Sequence, residues 1–255
     1  MRLSKYHGLG NDFLVLIDAH GNQPASAELA RRVCDRHRGI GADGLLRVTP
    51  GGDADAGAAA DVDLVMELWN ADGSRAEMSG NGIRCLVHAA LNAGLVSKAV
   101  VTVATDAGIK TVSRRSSAEP GIAQFSVDMG VAKITRLDDG EAEVDMGNPH
   151  LVIVDESDSL DLAALGHQHQ DLNVELVTTR GADITMRVWE RGVGETLACG
   201  TGSCAVAAAM HAWGRTGDQV KVHQPGGTAL VELTGDSAVL IGPSQHIADI
   251  EVASP

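Results

Sequence analysis

The chain has 255 residues, a formal net charge of −14 and a sequence pI of about 5.0, and 44% of its residues are hydrophobic. An acidic surface is poorly matched to a phosphate backbone, so these values argue against nucleic acid as a partner. No apolar run is long enough to span a bilayer, and residues 1–7 lack the apolar core of a secretory signal. The chain is therefore predicted to be cytoplasmic, with no membrane partner.

The hydrophobic pattern of the first quarter of the chain predicts alternating strands and helices. Apolar runs bounded by turn residues indicate strands, and helical spacing that ends at a glycine indicates a helix. In chain order the pattern predicts a strand at 12–17, a helix at 29–38 that ends at Gly39, a strand at 44–49, a small-residue acidic loop at 50–61 and a strand at 63–69.

Two later segments, 81–93 and 201–213, are rich in alanine and leucine and apolar nearly all round, which predicts two buried central helices. A polar stretch near 113–120 that ends in Pro-Gly is the predicted linker. Strands are predicted around the helices at 99–104, 109–113, 124–129, 142–146, 174–178, 183–189, 219–223, 228–233 and 238–241.

The two helices belong to an internal repeat. The segment MELWNADGSRAEMSGNGIRCLVHAALNAG, from Met66, aligns without a gap with MRVWERGVGETLACGTGSCAVAAAMHAWG, from Met186, at an offset of 120 positions. Upstream, residues 10–18 resemble residues 147–155, in the same order. Two matches in one order predict a duplication.

The predicted fold is α+β, with two pseudo-symmetric halves that each wrap a curved, barrel-like and mostly antiparallel sheet around a central helix. The first half is predicted to comprise residues 1–116, completed by residues 243–255. The second is predicted to comprise residues 117–242.

Each repeat places a small nucleophilic side chain, Ser79 or Cys199, just before a Gly-x-Gly at the predicted start of its helix. The free N–H groups and partial positive charge of a helix N-terminus bind a carboxylate and stabilise the enediolate-like charge that forms when an α-proton leaves. The same field is expected to lower the pKa of Cys199 and make it a base at neutral pH. The alternative is a capping or buried cysteine, which is the favoured interpretation of Cys34 and Cys85.

Neither Gly-x-Gly carries the third glycine of a dinucleotide fingerprint or a phosphate-loop lysine. The four cysteines lack the spacing of a zinc site or a disulfide framework. These observations predict neither a nucleotide-binding loop nor a zinc site.

Seven blocks, in order from residue 7 to about residue 213, resemble the diaminopimelate epimerase family. They begin at His7 (HGLGNDF), Gly39 (GIGADG), Asn70 (NADGS), Gly80 (GNGIR), Gly147 (GNPH), Glu190 (ERGVGET) and Ala198 (ACGTG). The resemblance implies interconversion of LL- and meso-diaminopimelate in lysine and cell-wall synthesis. It also implies an active site in the cleft between the halves, no cofactor or metal, and a homodimer.

The resemblance also assigns residues. It implies that Cys199 is one of two acid/base thiols and that His150 and Glu190 tune the thiols. Without it, His150 would be interpreted as a satisfied core histidine, and Arg191 as part of a surface salt bridge. The implied carboxylate cradle is Gly80, Asn81, Gly200 and Thr201, and the implied substrate contacts are Asn11, Asn70, Asn148, Asn173, Glu190 and Arg191.

Ser79 departs from the family pattern, which has a cysteine at that position. A serine hydroxyl is a far weaker acid than a thiol, and Cys85 lies nearly two helical turns away. Three interpretations stay open: Ser79 was introduced to trap a state, it is natural with reduced or restricted turnover, or the chemistry has changed to a related isomerisation, elimination or one-sided exchange.

Two other functions compete with the epimerase. A proline- or hydroxyproline-racemase-like isomerase uses a similar two-base fold, but it would not need the pair Glu190 and Arg191 for a distal amino-acid head. A catalytically silent amino-acid-binding protein is the other, and Ser79 is the feature that favours it.

Overall fold

The structure, a computed structural model, describes residues 1–52, 61–117, 119, 121–157, 159–180, 183–235 and 237–252. The chain divides into two compact units: unit 1 is Met1–Val127 with Pro243–Pro255, and unit 2 is Asp128–Gly242. The sequence-based boundary after residue 116 falls inside unit 1. Most of the predicted acidic loop, residues 53–60, lies outside the described residues.

Unit 1 holds two helices and most of its strands in one continuous stretch of chain. Its elements are β1 (Arg2–Gly8), β2 (Asn11–Ile17), α1 (Ala27–Cys34), β3 (Gly44–Pro50), β4 (Leu64–Asn70), β5 (Arg75–Ala76), α2 (Gly80–Asn92), β6 (Val100–Thr105), β7 (Gly108–Arg115) and β8 (Ile122–Val131), the last of which runs past the unit boundary.

Unit 2 repeats this order of elements. They are β9 (Lys133–Asp138), β10 (Glu141–Asp145), β11 (Pro149–Val154), α3 (Leu162–Gln168), β12 (Asn173–Arg180), β13 (Asp183–Glu190), β14 (Gly194–Thr196), α4 (Gly200–Ala212), β15 (Gln219–Gln224), β16 (Gly227–Thr234) and β17 (Ser237–Glu251), whose last residues belong to unit 1.

The strand order is the same in both units. Unit 1 has the order β1-β2-β3-β4-β6-β7-β8, in which β2–β3 and β4–β6 are parallel and the other pairs antiparallel. Unit 2 has the order β9-β10-β11-β12-β13-β15-β16-β17, in which β11–β12 and β13–β15 are parallel. Each parallel pair is joined by a segment that contains a helix, α1, α2, α3 or α4, because a parallel connection needs a crossover. The predicted α+β fold of two pseudo-symmetric, mostly antiparallel halves is confirmed.

The helices α2 and α4 are the centres of the two units. All residues of α4 from Gly200 to Met210 are buried, and α2 is buried over most of its length. Both end in the same way: Gly94 and Gly214, with φ of 69° and 68°, follow the C-cap and take the left-handed conformation that glycine adopts at little cost. The prediction of two central helices is confirmed to within one residue at each end.

The first predicted helix, 29–38, is wrong at both ends. It starts earlier because the Ser26 hydroxyl accepts a hydrogen bond from the Leu29 N–H at 3.1 Å and caps it. It stops at Cys34 because the Asp35 carboxylate accepts hydrogen bonds from the N–H groups of His37 and Arg38, each at 2.8 Å, in a turn that competes with the helix.

Two further expectations need correction. The strand predicted at 238–241 extends from Ser237 to Glu251, because it pairs first with β16 and then with β1. The strand β7 continues to Arg115, so the predicted linker at 113–120 begins inside a strand. Within the described residues, no helix is long and apolar enough to cross a membrane.

Candidate active site

Cys199 is the N-cap residue of α4. Its backbone is extended, with φ of −125° and ψ of 121°, and its Sγ lies 3.4 Å from the N of Gly202 and 3.4 Å from Oγ1 of Thr201. The thiol therefore lies at the positive end of a buried helix, where the N–H groups of the first turn have no partner within the helix.

Two polar side chains that the sequence reasoning missed hold this helix start. The Cys199 N–H donates to Oε1 of Gln224 at 2.7 Å, and Nε2 of Gln224 donates to Oγ of Ser203 at 3.0 Å. The Ser203 hydroxyl in turn donates to the Cys199 carbonyl at 2.8 Å. Gln224 is distant in sequence and matches no block, so only the paired strands reveal it.

The pKa of Cys199 shifts in the direction opposite to the sequence-based expectation. Burial raises it well above its ordinary value, and the nearby carboxylates of Glu190 and Glu175 raise it further. The Thr201 hydroxyl and the Gly202 N–H act to lower the pKa but are outweighed. The expected lowering of the pKa is therefore wrong, because burial and the two carboxylates outweigh the helix start and favour the protonated thiol.

His150 lies on β11 next to this helix start and is fully buried. Its Nδ1 is 2.6 Å from Oε1 of Glu175, which is also fully buried, and its Nε2 is 3.1 Å from Oδ1 of Asn148. Nδ2 of Asn148 donates to Oγ1 of Thr201 at 3.4 Å. The structure thus brings together His150, Asn148 and Thr201, and adds Glu175, whose only signal in the sequence is a charge inside an apolar strand.

Asn173, Glu190 and Arg191 lie at the ends of β12 and β13. The Arg191 N–H donates to Oδ1 of Asn173 at 2.9 Å, and Nδ2 of Asn173 donates to the Pro149 carbonyl at 3.1 Å. Oε1 of Glu190 accepts a hydrogen bond from the Thr196 hydroxyl at 2.5 Å. Arg191 is exposed.

Ser79 caps α2 in the same way that Cys199 caps α4. Its backbone is extended, with φ of −142° and ψ of 123°, and its Oγ accepts a hydrogen bond from the Gly82 N–H at 3.0 Å. The two capping residues therefore have matching local conformations. They differ in the terminal atom of the side chain, which is oxygen in Ser79 and sulfur in Cys199.

Asn11 and Asn81, two other predicted residues of unit 1, belong to a chain of hydrogen bonds beside Ser79. Nδ2 of Asn81 donates to Oδ1 of Asn11 at 3.3 Å, and Nδ2 of Asn11 donates to Oδ2 of Asp43 at 2.8 Å. The fully buried Arg84 donates to the Gly80 carbonyl at 2.9 Å and to Oδ1 of Asn81, which fixes the first turn of α2.

Asn70 ends β4 and donates through Nδ2 to the Ser74 hydroxyl at 3.0 Å, within a tight turn. It is therefore held by its own turn and not by the chain of hydrogen bonds through Asn11 and Asn81.

The prediction that Cys34 and Cys85 are buried small hydrophobes is confirmed. Burial raises the pKa of Cys34 to about 12 and that of Cys85 to about 11. Cys85 faces Ser244 and not the helix start, so it does not replace Ser79. In the described ranges, no group of three or more His, Cys, Asp or Glu side chains is arranged to hold a metal ion.

The comparison with known sequences decides the family. The sequence model described as Diaminopimelate epimerase matches residues 3–135 and 142–247. The chain belongs to the diaminopimelate epimerase family. The resemblance of its seven blocks is thereby confirmed.

Individual relatives agree over nearly the whole chain. The diaminopimelate epimerase of Corynebacterium glutamicum is 39% identical, over 98% of this chain and 97% of its own length. That of Mycobacteroides abscessus is 40% identical, over 99% of this chain and 96% of its own length. Among solved structures, a hydroxyproline epimerase from Agrobacterium vitis has a TM-score of 0.69 at 17% identity and covers 98% of this chain and 91% of its own, which shows a shared fold.

Proposed function

We propose that the protein is an isomerase that interconverts LL- and meso-diaminopimelate by proton transfer at the α-carbon, with Cys199 as one of the two acid/base groups. The observation that carries the proposal is the position of Cys199, whose thiol caps a buried, glycine-rich helix start. We further propose that the enzyme works without cofactor or metal, in the cytoplasm, as a homodimer.

The substrate is held in two places in this proposal. The backbone N–H groups at the helix starts bind the α-carboxylate, because the positive end of the helix dipole lies there and favours an anion. Polar side chains bind the distal amino-acid head, with Arg191 as the carboxylate clamp and Glu190 as an ammonium partner. The cradle residues are Gly80, Asn81, Gly200 and Thr201, and the other contacts are Asn11, Asn70, Asn148, Asn173, Glu190 and Arg191.

Inversion requires one proton to leave and another to arrive on the opposite face. A base takes the α-proton, the electron pair of the Cα–H bond moves into the carboxylate to give an enediolate, and the helix N–H groups stabilise that charge. The protonated Cys199 thiol then delivers a proton to the other face of the carbon. In the reverse direction Cys199 is the base, and a substrate ammonium near Glu190 offsets one of the negative charges that raise the pKa of the thiol.

Ser79 occupies the position of the second acid/base group. Its alkoxide is hardly available at neutral pH, so we propose that inversion is slow while exchange at Cys199 continues. Whether the serine was introduced or is natural does not change this consequence. A changed reaction is disfavoured, because Asn70, Asn173, Glu190 and Arg191 all fit a diamino-dicarboxylate.

The test is an inversion assay with LL-diaminopimelate as the substrate, with meso product quantified by chiral chromatography. Cys199→Ala is expected to abolish product formation, and the matched control Cys85→Ala, which removes a buried thiol elsewhere, is expected to retain it. Full activity of a folded Cys199→Ala protein would sink the assignment of Cys199.

A catalytically silent amino-acid-binding protein is the second candidate, favoured by Ser79 alone. It predicts tight binding of diaminopimelate, measured by calorimetry, with no α-proton exchange in either direction. A racemase acting on proline or hydroxyproline shares the fold, but it has no use for Glu190 and Arg191. That alternative predicts turnover of proline and none of diaminopimelate.

A further inference from the structure

We propose that Glu175 is a positioning residue for the proposed reaction: its carboxylate fixes the ring of His150 and holds a negative charge against the first turn of α4, which Cys199 caps. The proposal rests on the proposed function only in taking Cys199 as the acid/base group. Glu175 lies in no block that carries the family resemblance.

The first support is the contact between the two side chains. Nδ1 of His150 and Oε1 of Glu175 are 2.6 Å apart, and both residues are fully buried. An ionised carboxylate only accepts, so the contact keeps a hydrogen on Nδ1 and fixes the plane of the ring. The other ring nitrogen, Nε2, faces Asn148, which bonds to Thr201 beside the thiol.

The second support is the packing of Glu175 against the helix start. A Cβ added to Gly202 would lie 2.6 Å from Oε1 of Glu175 and 3.3 Å from Cβ of Cys199. The carboxylate therefore touches the turn that the thiol caps, and only glycine leaves room for it. Oε2 of Glu175 is buried with no hydrogen-bond partner among the described residues, so this charge is held at a cost in desolvation.

The third support comes from the repeat within the chain. Val174 lies opposite Trp189 in the β12–β13 ladder, and Leu45 lies opposite Trp69 in the β3–β4 ladder. Because the repeat matches Trp69 with Trp189, the counterpart of Glu175 is Leu46.

The partner of Glu175 is also replaced in unit 1. His150 pairs with Asn173, the residue before Val174, and Phe13 pairs with Gly44, the residue before Leu45, so Phe13 is the counterpart of His150. A Cβ added to Gly82 would meet the Phe13 ring at 3.4 Å. The same arrangement of strands and helix therefore has apolar side chains, Phe13 and Leu46, at these positions in unit 1, and a buried histidine–carboxylate pair in unit 2.

This internal comparison separates fold from function. A buried, hydrogen-bonded polar pair is often no more stable than apolar side chains of similar volume, and unit 1 has apolar side chains, Phe13 and Leu46, at the matching positions. This architecture therefore does not itself demand a histidine–carboxylate pair at these positions. The pair lies beside the start of α4, which carries the thiol of Cys199, and the start of α2, which carries the hydroxyl of Ser79, has no such pair at the matching positions.

The consequence is electrostatic as well as geometric. Ionisable side chains reach the start of α4 from three strands: His150 from β11, Glu175 from β12 and Glu190 from β13. The two carboxylates favour the protonated thiol. Cys199 is thereby kept as a proton donor until substrate binds.

The test measures the rate at which iodoacetamide alkylates Cys199 in the full-length, substrate-free protein, between pH 6 and pH 11, by peptide mass spectrometry. Glu175→Gln, which keeps an acceptor for His150 and removes the charge, is expected to lower the pH of half-maximal alkylation by about one unit. The matched control Glu195→Gln removes an exposed carboxylate of the same unit, paired with Arg187, and is expected to leave it unchanged.

The double variant His150→Phe/Glu175→Leu copies the arrangement of unit 1 and guards against misfolding of the single variant. It is expected to fold and to show the same downward shift. In a Ser79→Cys background, Glu175→Gln is expected to lower kcat about tenfold with KM within about twofold, a pattern that simple loosening of the site would not give.

An unchanged alkylation profile in folded Glu175→Gln and in the double variant would overturn the proposal. The alkylation assay needs no substrate, so a shift in alkylation together with no turnover of diaminopimelate would leave the role of Glu175 intact and reject the proposed function instead.

Discussion

At the scale of single residues, the two helix caps show how one atom separates two otherwise equal positions. Ser79 and Cys199 have closely similar backbone angles. Each side chain accepts a hydrogen bond from the N–H group three positions later in the chain, that of Gly82 or of Gly202. Serine is the better cap, because oxygen accepts a hydrogen bond more strongly than sulfur. Cysteine is the better acid/base group, because a thiol ionises far more readily than an alcohol. Stability and chemistry therefore favour different residues at position 79.

This trade-off predicts the effects of Ser79→Cys. Turnover of LL- to meso-diaminopimelate is expected to rise about a hundredfold, the scale of a positioned general acid or base, as measured by the initial rate of inversion. The free energy of unfolding is expected to fall by about 1 kcal/mol in urea titrations, because the cap weakens.

Ser79→Ala serves as the companion variant, since it removes the hydroxyl without adding a thiol. It is expected to lose the cap and to gain no activity. If a folded Ser79→Cys protein turns over no faster than the unsubstituted chain, position 79 has no part in proton transfer.

At the scale of elements, matching carboxylates brace the loops that follow β2 and β11. Asp18 accepts hydrogen bonds from the N–H groups of Asn22 and Gln23, each at 3.0 Å, and Asp155 accepts them from Ser159 and Leu160 at 2.8 and 2.7 Å. In both units the donor N–H groups belong to the residues four and five positions after the aspartate. The repeat thus extends from the sequence blocks to the loops.

Asp18 has an additional ion pair with Arg47, at 2.7 Å, and its side chain is fully buried. Burial alone would raise the pKa of Asp18, but Arg47 and the two N–H groups outweigh it and place the pKa below its ordinary value of 3.8. A carboxylate with a lowered pKa adds stability above the unfolded pKa, and that stability is lost as the pH falls through the folded pKa.

Asp18→Asn is therefore expected to reduce the free energy of unfolding by about 3 kcal/mol at pH 7 in urea titrations. The difference from the unsubstituted chain should shrink as the pH falls below 3.8, because the carboxylate of the unfolded chain is then protonated while the native one still holds its charge, and it should vanish below the native pKa. Asp155→Asn, which breaks no ion pair with an arginine among the described residues, should cost less. Equal costs for the two variants would contradict the role given to Arg47.

Elements with a strong local signal were predictable, and those that depend on tertiary partners were not. The helices α2 and α4 follow from their apolar composition and glycine ends, and most strands from their apolar runs. The helix α3 was missed because its seven residues include a glycine and a histidine, and β1 because its polar residues hide the alternation. The placement of Cys199 at a helix start was predictable, but its pKa was not, because burial, Glu175 and Glu190 act through space.

At the scale of the whole molecule, the chain returns at its end to the unit where it began. From Arg2 to His7, β1 pairs with the end of β17, from Glu251 back to Gln245, and the Pro243 carbonyl accepts a hydrogen bond from Nε of the buried Arg84 at 3.2 Å. The side chain of Ile250 packs on the core cluster that contains Leu3 and Leu14. The last strand is therefore part of the core of unit 1.

Ending the chain at Gly242 is expected to abolish cooperative unfolding of unit 1, because it exposes one edge of β1 and removes a partner of Arg84. Differential scanning calorimetry would show the loss of part of the unfolding enthalpy. The substitution Ile247→Ala, at a half-exposed position in the same strand, is the control and should change the Tm little. A truncated chain that melts like the full one would contradict this account.

The most direct measurement is an incubation in heavy water. The protein and its Ser79→Cys variant are each mixed with LL- or meso-diaminopimelate, and the rate of α-deuteration and the rate of stereochemical inversion are measured separately. The proposal predicts that the unsubstituted chain deuterates one isomer faster than it inverts it, and that in Ser79→Cys inversion keeps pace with exchange. Inversion as fast as exchange in the unsubstituted chain would contradict the assignment of Ser79 as the weak partner. No exchange in either protein would contradict the proposed substrate itself.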